Sequence, residues 1–161
     1  ISDALRALAQ YRGEPHRVEY VMTVNGVDYI DDSKGTNVGA TVAALEGLGA
    51  NGTKLVVILG GDGKGQDFSP IADSMGKHAR AAVLIGRDAP LIEKALQGAE
   101  YPIIHAKDMP QAVQKASELA QPHDCVLLSP ACASWDMFKD YAQRSAIFIA
   151  SAKALAGDTQ Q

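Results

Sequence analysis

The sequence has few cysteines and no long apolar run, and each absence excludes a class of protein. Its two cysteines, Cys125 and Cys132, form no C-x-x-C pair and have no histidine cluster beside them. We therefore expect buried thiols rather than a metal or redox site, as in a cytosolic protein. No apolar stretch approaches the roughly 20 residues that cross a bilayer, and the N-terminus does not resemble a signal peptide. We expect a cytoplasmic chain with no membrane partner.

An excess of positive charge is also missing. The 15 lysines and arginines are outnumbered by 19 aspartates and glutamates, which gives a net charge of −4. Phosphate backbones bind to basic surfaces, so this balance argues against nucleic acid as a partner. The 161 residues, of which 47% are apolar, are enough for one domain that buries its own core.

The two ends of the chain differ from its middle. The chain starts at Ile1, without methionine, and residues 1–15 read as an amphipathic helix capped by Ser2 and joined onward through Gly13 and Pro15. We interpret them as a linker helix from a missing upstream domain. Residues 16–157 form the predicted domain, and residues 158–161 a frayed tail.

Short apolar runs alternate with helical patterns along the middle of the chain. The first two runs flank Asn25-Gly26, a strong hairpin signal. The later runs alternate with helices, which indicates parallel strands with helices on both faces. The sequence thus predicts an α/β fold: a Rossmann-like open, mostly parallel sheet with one antiparallel edge strand from the N-terminal hairpin. We predict strands at 17–24, 27–31, 55–59, 81–85, 103–105 and 125–128, and helices at 38–48, 70–78 (Ser69 as cap), 90–97, 109–120 (Asp108 as cap) and 135–156, with a break near the start of the last helix as an alternative.

Three loops with unusual polar chemistry each follow a predicted strand directly. Because the carboxyl ends of parallel strands share one edge of a sheet, we expect all three loops to converge there, where open α/β sheets bind ligands. In order along the chain they read Asp32-Ser33-Lys34-Gly35-Thr36-Asn37, Gly60-Gly61-Asp62-Gly63-Lys64 and Ser129-Pro130-Ala131-Cys132-Ala133-Ser134.

Simpler interpretations of the same residues stay open. Thr36 or Asn37 can be a helix cap, although capping leaves Asp32 and Lys34 unexplained. The second loop fits neither nucleotide fingerprint, because Gln66 stands where G-x-G-x-x-G needs glycine and the P-loop spacing is absent. A solvated surface residue for Lys64, and a cap for Ser134 at the start of the last helix, are the alternatives.

Other polar residues carry weaker signals. His16 precedes the first strand, and a lone histidine is more often structural than catalytic. Arg17 can hold a phosphate, stack on a base, or form a surface ion pair. Trp135 can be an ordinary core residue. The remaining histidines have no neighbours in sequence that suggest a metal site, so we predict none.

Taken in order, Pro15-His16-Arg17 and the three loops resemble the C-terminal domain of the muramyl ligases, from about Ala4 to Ala156. The Ser-Lys-x-Thr-Asn continuation after Asp32 is similar to the D-glutamate-adding branch of that family. Gly35 stands where alanine is commoner in the family, and Trp135 and Tyr141 where leucine and phenylalanine are frequent.

The resemblance implies a role for each matching position. Arg17, Asp32 and His16 hold the adenosine part of ATP, with Asp32 accepting from the ribose hydroxyls. Lys34, the implied catalytic residue, lies near the phosphates and the reacting acyl group. The resemblance implies D-glutamate binding by Thr36 and Lys64 at the α-carboxylate, and by Ser134, Trp135 and Tyr141 around the side-chain carboxylate.

The resemblance also implies a reaction and its partners. A bacterial cytoplasmic enzyme of peptidoglycan synthesis activates UDP-N-acetylmuramoyl-L-alanine as an acyl phosphate with ATP and Mg²⁺, and D-glutamate then forms the amide. The chain contains no P-loop, which in the family belongs to the central domain, while the N-terminal domain holds the uridine nucleotide. We expect this chain alone to be inactive and to bind neither cofactor tightly. A stand-alone Rossmann-like module that binds an anion or nucleotide at the same edge is the alternative.

Overall fold

The first two strands form an antiparallel hairpin. In the computed structural model, which describes residues 18–159 and side chains up to residue 157, β1 (Glu19–Val24) pairs with β2 (Val27–Asp31). Asn25 and Gly26 between them have φ of 53° and 78°, the left-handed geometry that these residue types tolerate in tight hairpin turns. The predicted hairpin is confirmed. Arg17 and the predicted helix of residues 1–15 lie outside the described residues.

The rest of the sheet is parallel. The described residues add β3 (Leu55–Gly60), β4 (Ala79–Ile85), β5 (Ile103–His105) and β6 (Cys125–Leu128). The strand order is β1-β2-β6-β3-β4-β5, and each pairing beyond the hairpin is parallel. β3 and β6 are buried along their whole length, which explains their uninterrupted apolar sequence. The predicted mostly parallel sheet with an antiparallel edge strand is confirmed.

Helices cover both faces of the sheet, and the alternation of side chains along β3 divides the core between them. Leu55, Val57 and Leu59 pack in one cluster with residues of the first three helices. Val56 and Ile58 point to the opposite face and pack in a second cluster with residues of the last two helices. Both cysteines are buried, as expected. The helices are α1 (Val38–Gly49), α2 (Ser69–His78), α3 (Ala89–Ala95), α4 (Met109–Leu119) and α5 (Tyr141–Thr159).

The predicted helix caps are confirmed in part. Asp108 accepts a hydrogen bond from Gln111 N at 2.9 Å and caps α4, as predicted. The predicted cap Ser69 is wrong, because Ser69 is already the first residue of α2. Its backbone N–H and its hydroxyl both donate to the carboxylate of Asp67, two residues earlier.

The last helix starts later than predicted. Residues 135–140 form a turn followed by a bend, and the backbone oxygen of Ser134 accepts from the N–H groups of Met137 and Phe138. α5 begins at Tyr141, after Asp140 has accepted a hydrogen bond from Gln143 N. The prediction that Ser134 caps this helix is therefore wrong. At its other end α5 continues to Thr159, into the predicted tail. Within residues 18–159, no helix is long and apolar enough to cross a bilayer.

Candidate functional site

The three polar loops converge at one edge of the sheet, as predicted. They are the first loop (residues 32–37) after β2, the second loop (residues 60–67) after β3, and the third loop (residues 129–136) after β6, and these three strands are adjacent and parallel. Backbone hydrogen bonds join the loops directly. Ala131 N donates to Gly35 O at 2.9 Å, and Asp62 and Ala133 exchange two N–H···O bonds of 3.0 and 2.8 Å.

Asp32 ties the first loop to the third. Its side chain is only 1% exposed, and Oδ2 accepts from the hydroxyl of Ser129 at 2.8 Å. A Cβ added to Gly35 would lie 2.6 Å from the same Oδ2, so an alanine at this position would require the carboxylate to shift. The buried carboxylate of Asp32 therefore helps to hold the conformation of the first loop.

A buried arginine that the sequence analysis missed supports the same two loops. Arg144 in α5 is fully buried. Its Nη2 donates to Ser33 O at 2.6 Å, its Nε to Ser33 Oγ at 3.0 Å and its Nη1 to Cys132 O at 3.0 Å. Burial lowers the pKa of Arg144 to about 10, against the opposing effect of Cys132 and nearby carboxylates. The sequence spacing indicates a buried position for Arg144, because Arg144, Phe148 and Ala152 recur every fourth residue on the buried face of α5.

The two lysines of the site each lie over an aromatic ring. Lys34 Nζ is 5.7 Å from the ring centroid of Tyr141, and Lys64 Nζ is 5.4 Å from that of Trp135. Both distances are within the range of a cation–π interaction. Trp135 is 70% exposed, so its interpretation as a core residue is wrong. Among the described residues, neither lysine has a carboxylate within ion-pair distance, which leaves both ammonium groups available to an anion.

Thr36 and Asn37 have separate roles in the first loop. Asn37 caps α1, because its Oδ1 accepts from Ala40 N at 2.8 Å. Thr36 is half-buried just before the cap, and within the part of the chain that the structure describes its hydroxyl makes no hydrogen bond. Of the two predicted caps, Asn37 is the correct one. Thr36 therefore remains a donor at the N-terminus of a twelve-residue helix.

Ser134 is the predicted D-glutamate ligand in the third loop. It is 3% exposed and lies between the buried Ala133 and the exposed Trp135. Its backbone oxygen is used in the following turn. The chain then returns to the site at Tyr141, whose backbone oxygen accepts from the hydroxyl of Ser33 at 2.8 Å. This contact fixes the start of α5 against the first loop.

A small cleft of about 160 Å³ opens beside Lys34. Burial raises the pKa of the Asp31 carboxyl at its wall, while hydrogen bonds from Ser145 and Ser33 oppose that shift. The cleft is smaller than the roughly 300 Å³ at which drug-sized ligands are usually held, so it can accommodate only part of a nucleotide. Its wall consists of Glu19, Asp31, Ser33, Lys34, Tyr141, Ala142 and Ser145.

Two predicted site residues precede the part of the chain that the structure describes. His16 and Arg17 lie outside the described residues, directly before the buried Val18. In the described ranges, no group of three or more histidine, cysteine or acidic side chains is arranged to hold a metal ion. These residues therefore do not fit a Mg²⁺ site, and we assign none to them.

Comparison with known proteins identifies the family. The sequence profile described as "Mur ligase, glutamate ligase domain" matches residues 16–132. The chain belongs to this family. The match includes the first and second loops and the beginning of the third. Since most of the chain is covered, the resemblance drawn from the loop residues is confirmed for the family.

Within the Mur ligase family, the chain is similar to proteins named UDP-N-acetylmuramoylalanine--D-glutamate ligase. It is 58% identical to the one from Polaromonas sp. over 97% of this chain and 26% of that protein. The Bordetella parapertussis protein is 58% identical over 96% of this chain and 30% of that protein. The Aromatoleum aromaticum protein is 59% identical over 92% of this chain and 32% of that protein. The chain thus spans about a quarter to a third of the length of these relatives.

Solved structures of Mur ligases share the fold. A domain of a UDP-N-acetylmuramate:L-alanyl-gamma-D-glutamyl-medo-diaminopimelate ligase from Haemophilus ducreyi superimposes with a TM-score of 0.60 at 20% identity, over 87% of this chain and all of that chain. A UDP-N-acetylmuramoyl-L-alanyl-D-glutamate--2,6-diaminopimelate ligase superimposes with a TM-score of 0.62 at 13% identity, over 94% of this chain and 33% of that chain. The α/β architecture is therefore that of Mur ligase C-terminal domains.

Proposed function

We propose that this chain is the D-glutamate-binding domain of an ATP-dependent ligase that joins D-glutamate to UDP-N-acetylmuramoyl-L-alanine in the bacterial cytoplasm. The observation that carries the proposal is the pair of exposed ammonium groups, Lys34 and Lys64, on converging loops beside Thr36 and Ser134. The names of relatives at 58% identity support the choice of substrate. They do not favour the alternative of a stand-alone anion-binding module.

D-Glutamate is a dicarboxylate, so its binding needs two separated sets of donors. We assign the α-carboxylate to Thr36 and Lys64, which project from the first and second loops. We assign the side-chain carboxylate to Ser134 in the third loop, with Trp135 and the backbone near Tyr141. A hydrogen bond to a charged group contributes about 1.5–3 kcal/mol. Two such anchors at fixed separation select for a dicarboxylate of matching length.

Lys34 lines the cleft, and we assign it to the phosphate and acyl groups. In the proposed reaction ATP transfers its γ-phosphoryl group to the carboxylate of UDP-N-acetylmuramoyl-L-alanine and leaves as ADP. The D-glutamate amine then attacks the acyl carbon, and the tetrahedral intermediate releases inorganic phosphate to leave the amide. An ammonium beside the phosphate offsets the negative charge that develops there.

The adenosine part of ATP remains assigned to Arg17, His16 and Asp32. A ribose hydroxyl reaches the Asp32 carboxylate only if the first loop opens, because that side chain is 1% exposed. The sequence has no P-loop, and its described residues offer no metal site. We therefore propose that the triphosphate, Mg²⁺ and the uridine nucleotide are held by other domains of the ligase, and that this chain alone is inactive.

The substitution Lys64→Ala in the full-length ligase tests the D-glutamate assignment. We expect KM for D-glutamate to rise by about tenfold or more, the equivalent of one charge-assisted hydrogen bond. KM for the uridine nucleotide should stay within about twofold. Lys94→Ala, which removes an exposed lysine from the last turn of α3, is the matched control. An unchanged KM and kcat in the Lys64 variant would contradict the assignment.

A further inference from the structure

The carboxamide of Gln66 makes hydrogen bonds to the start of α1, to the second loop and to the third loop. Its Oε1 accepts from the N–H of Val38, the first residue of α1 after the first loop, at 2.9 Å. Its Nε2 donates to Gly63 O in the second loop at 2.8 Å and to Ala131 O in the third loop at 3.0 Å. The side chain is half-buried between the loops.

The chemistry of these contacts requires a carboxamide. One partner is a donor and two are acceptors, and a glutamine side chain supplies one acceptor oxygen and two N–H groups. The reverse orientation would set the amide oxygen against two carbonyl oxygens, so the network itself fixes the orientation. A carboxylate cannot donate to either carbonyl, and an apolar side chain of the same length offers none of the three bonds.

The three contacts lie within a few residues of the proposed D-glutamate ligands. Gln66 follows Lys64 by two residues, Val38 follows Thr36 by two, and Ala131 precedes Ser134 by three. Lys64 and Ala131 both have positive φ, 53° and 65°, a conformation that costs energy for residues with a Cβ and must be held by its surroundings. Gln66 supplies part of that restraint to both segments.

We propose, resting on the D-glutamate function above, that Gln66 is a positioning residue that sets the distances between Thr36, Lys64 and Ser134. It acts through the backbone of the second loop, of the third loop and of Val38 at the start of α1, and does not itself touch substrate. Its loss separates the two carboxylate anchors, so the affinity for D-glutamate falls while the rest of the domain keeps its fold.

The test compares Gln66→Glu and Gln66→Met in the full-length ligase with Gln97→Glu, an exposed glutamine just beyond α3. We expect KM for D-glutamate to rise by about fivefold or more in both Gln66 variants, which is near the value of one neutral hydrogen bond. We expect KM for ATP and for the uridine nucleotide to stay within about twofold. The Gln97 variant should match the parent protein.

A pH profile separates positioning from general damage. In Gln66→Glu, acidification protonates the introduced carboxyl, which then both donates and accepts. The ratio of KM for D-glutamate in Gln66→Glu to that in the parent ligase should therefore decrease as the pH falls. The same ratio for Gln66→Met should not decrease. Two outcomes would show that Gln66 is not a positioning residue. In the first, the Gln66 variants raise KM for D-glutamate, ATP and the uridine nucleotide together and lower the melting temperature. In the second, they leave KM for D-glutamate unchanged although Lys64→Ala raises it. If Lys64→Ala also leaves KM unchanged, the proposed function itself fails.

Discussion

Arg144 holds Ser33 with two hydrogen bonds, one of 2.6 Å from Nη2 to the backbone oxygen and one of 3.0 Å from Nε to the hydroxyl. A third bond, from Nη1 to Cys132 O, extends the contact to the third loop. A fully buried guanidinium is unusual, since its charge is costly to desolvate unless its N–H groups find partners. Here it joins two loops that are far apart in sequence, and so it connects both of them to α5.

We predict that Arg144→Met destabilises the domain by about 2–4 kcal/mol, because two buried carbonyl oxygens lose their donors. Urea unfolding of the 161-residue chain gives the free energy directly. Lys153→Met removes a charge from an exposed position of the same helix and should change the free energy of unfolding by less than about 0.5 kcal/mol. A loss below about 1 kcal/mol in the Arg144 variant would mean that water or other groups replace these bonds.

Local patterns are enough to predict the sheet, most helices and the convergence of the loops. The apolar runs of β3 and β6 and the Asn25-Gly26 turn are set by neighbouring residues, so they can be read from sequence. The start of α5 cannot be read from neighbouring residues, because Tyr141 is held by a hydrogen bond from the hydroxyl of Ser33, more than 100 residues earlier. The contacts of Arg144 and Gln66 depend on carbonyl groups from distant loops, which become visible only once the strands are adjacent.

We predict that Trp135 reports the binding of D-glutamate. It is the sole tryptophan of the sequence, and its exposed ring lies 5.4 Å from Lys64 Nζ. A carboxylate that recruits the ammonium removes this cation from the ring face, because a charge-assisted bond is stronger than an exposed cation–π contact. Titration of the chain with about millimolar D-glutamate should give a saturable change in emission. Lys64→Met should abolish the response, and an equal response in that variant would contradict the assignment of Lys64.

We predict that the domain loses stability between about pH 8 and pH 10 through its two buried thiols. Burial is the main cause that raises the pKa of Cys132 to about 12 and that of Cys125 well above its ordinary value of 9.0. The folded state therefore keeps both protons while the unfolded chain releases them, so the unfolded state binds fewer protons and the free energy of unfolding falls as the pH rises.

The size of this loss follows from the ordinary thiol pKa in the unfolded chain. Each thiol accounts for about 1.4 kcal/mol between pH 8 and pH 10, or about 3 kcal/mol for both. Arg144 and two tyrosines begin to titrate only at the upper end of this window, and they act in opposite directions. The lowered pKa of Arg144, about 10, raises stability there, while burial lowers it through Tyr29 and Tyr101, whose pKa values lie above the ordinary 10.0. Urea unfolding under reducing conditions at the two pH values should show this loss. Cys132→Ala should reduce it by about half, and an undiminished loss would show that the thiols are not its source.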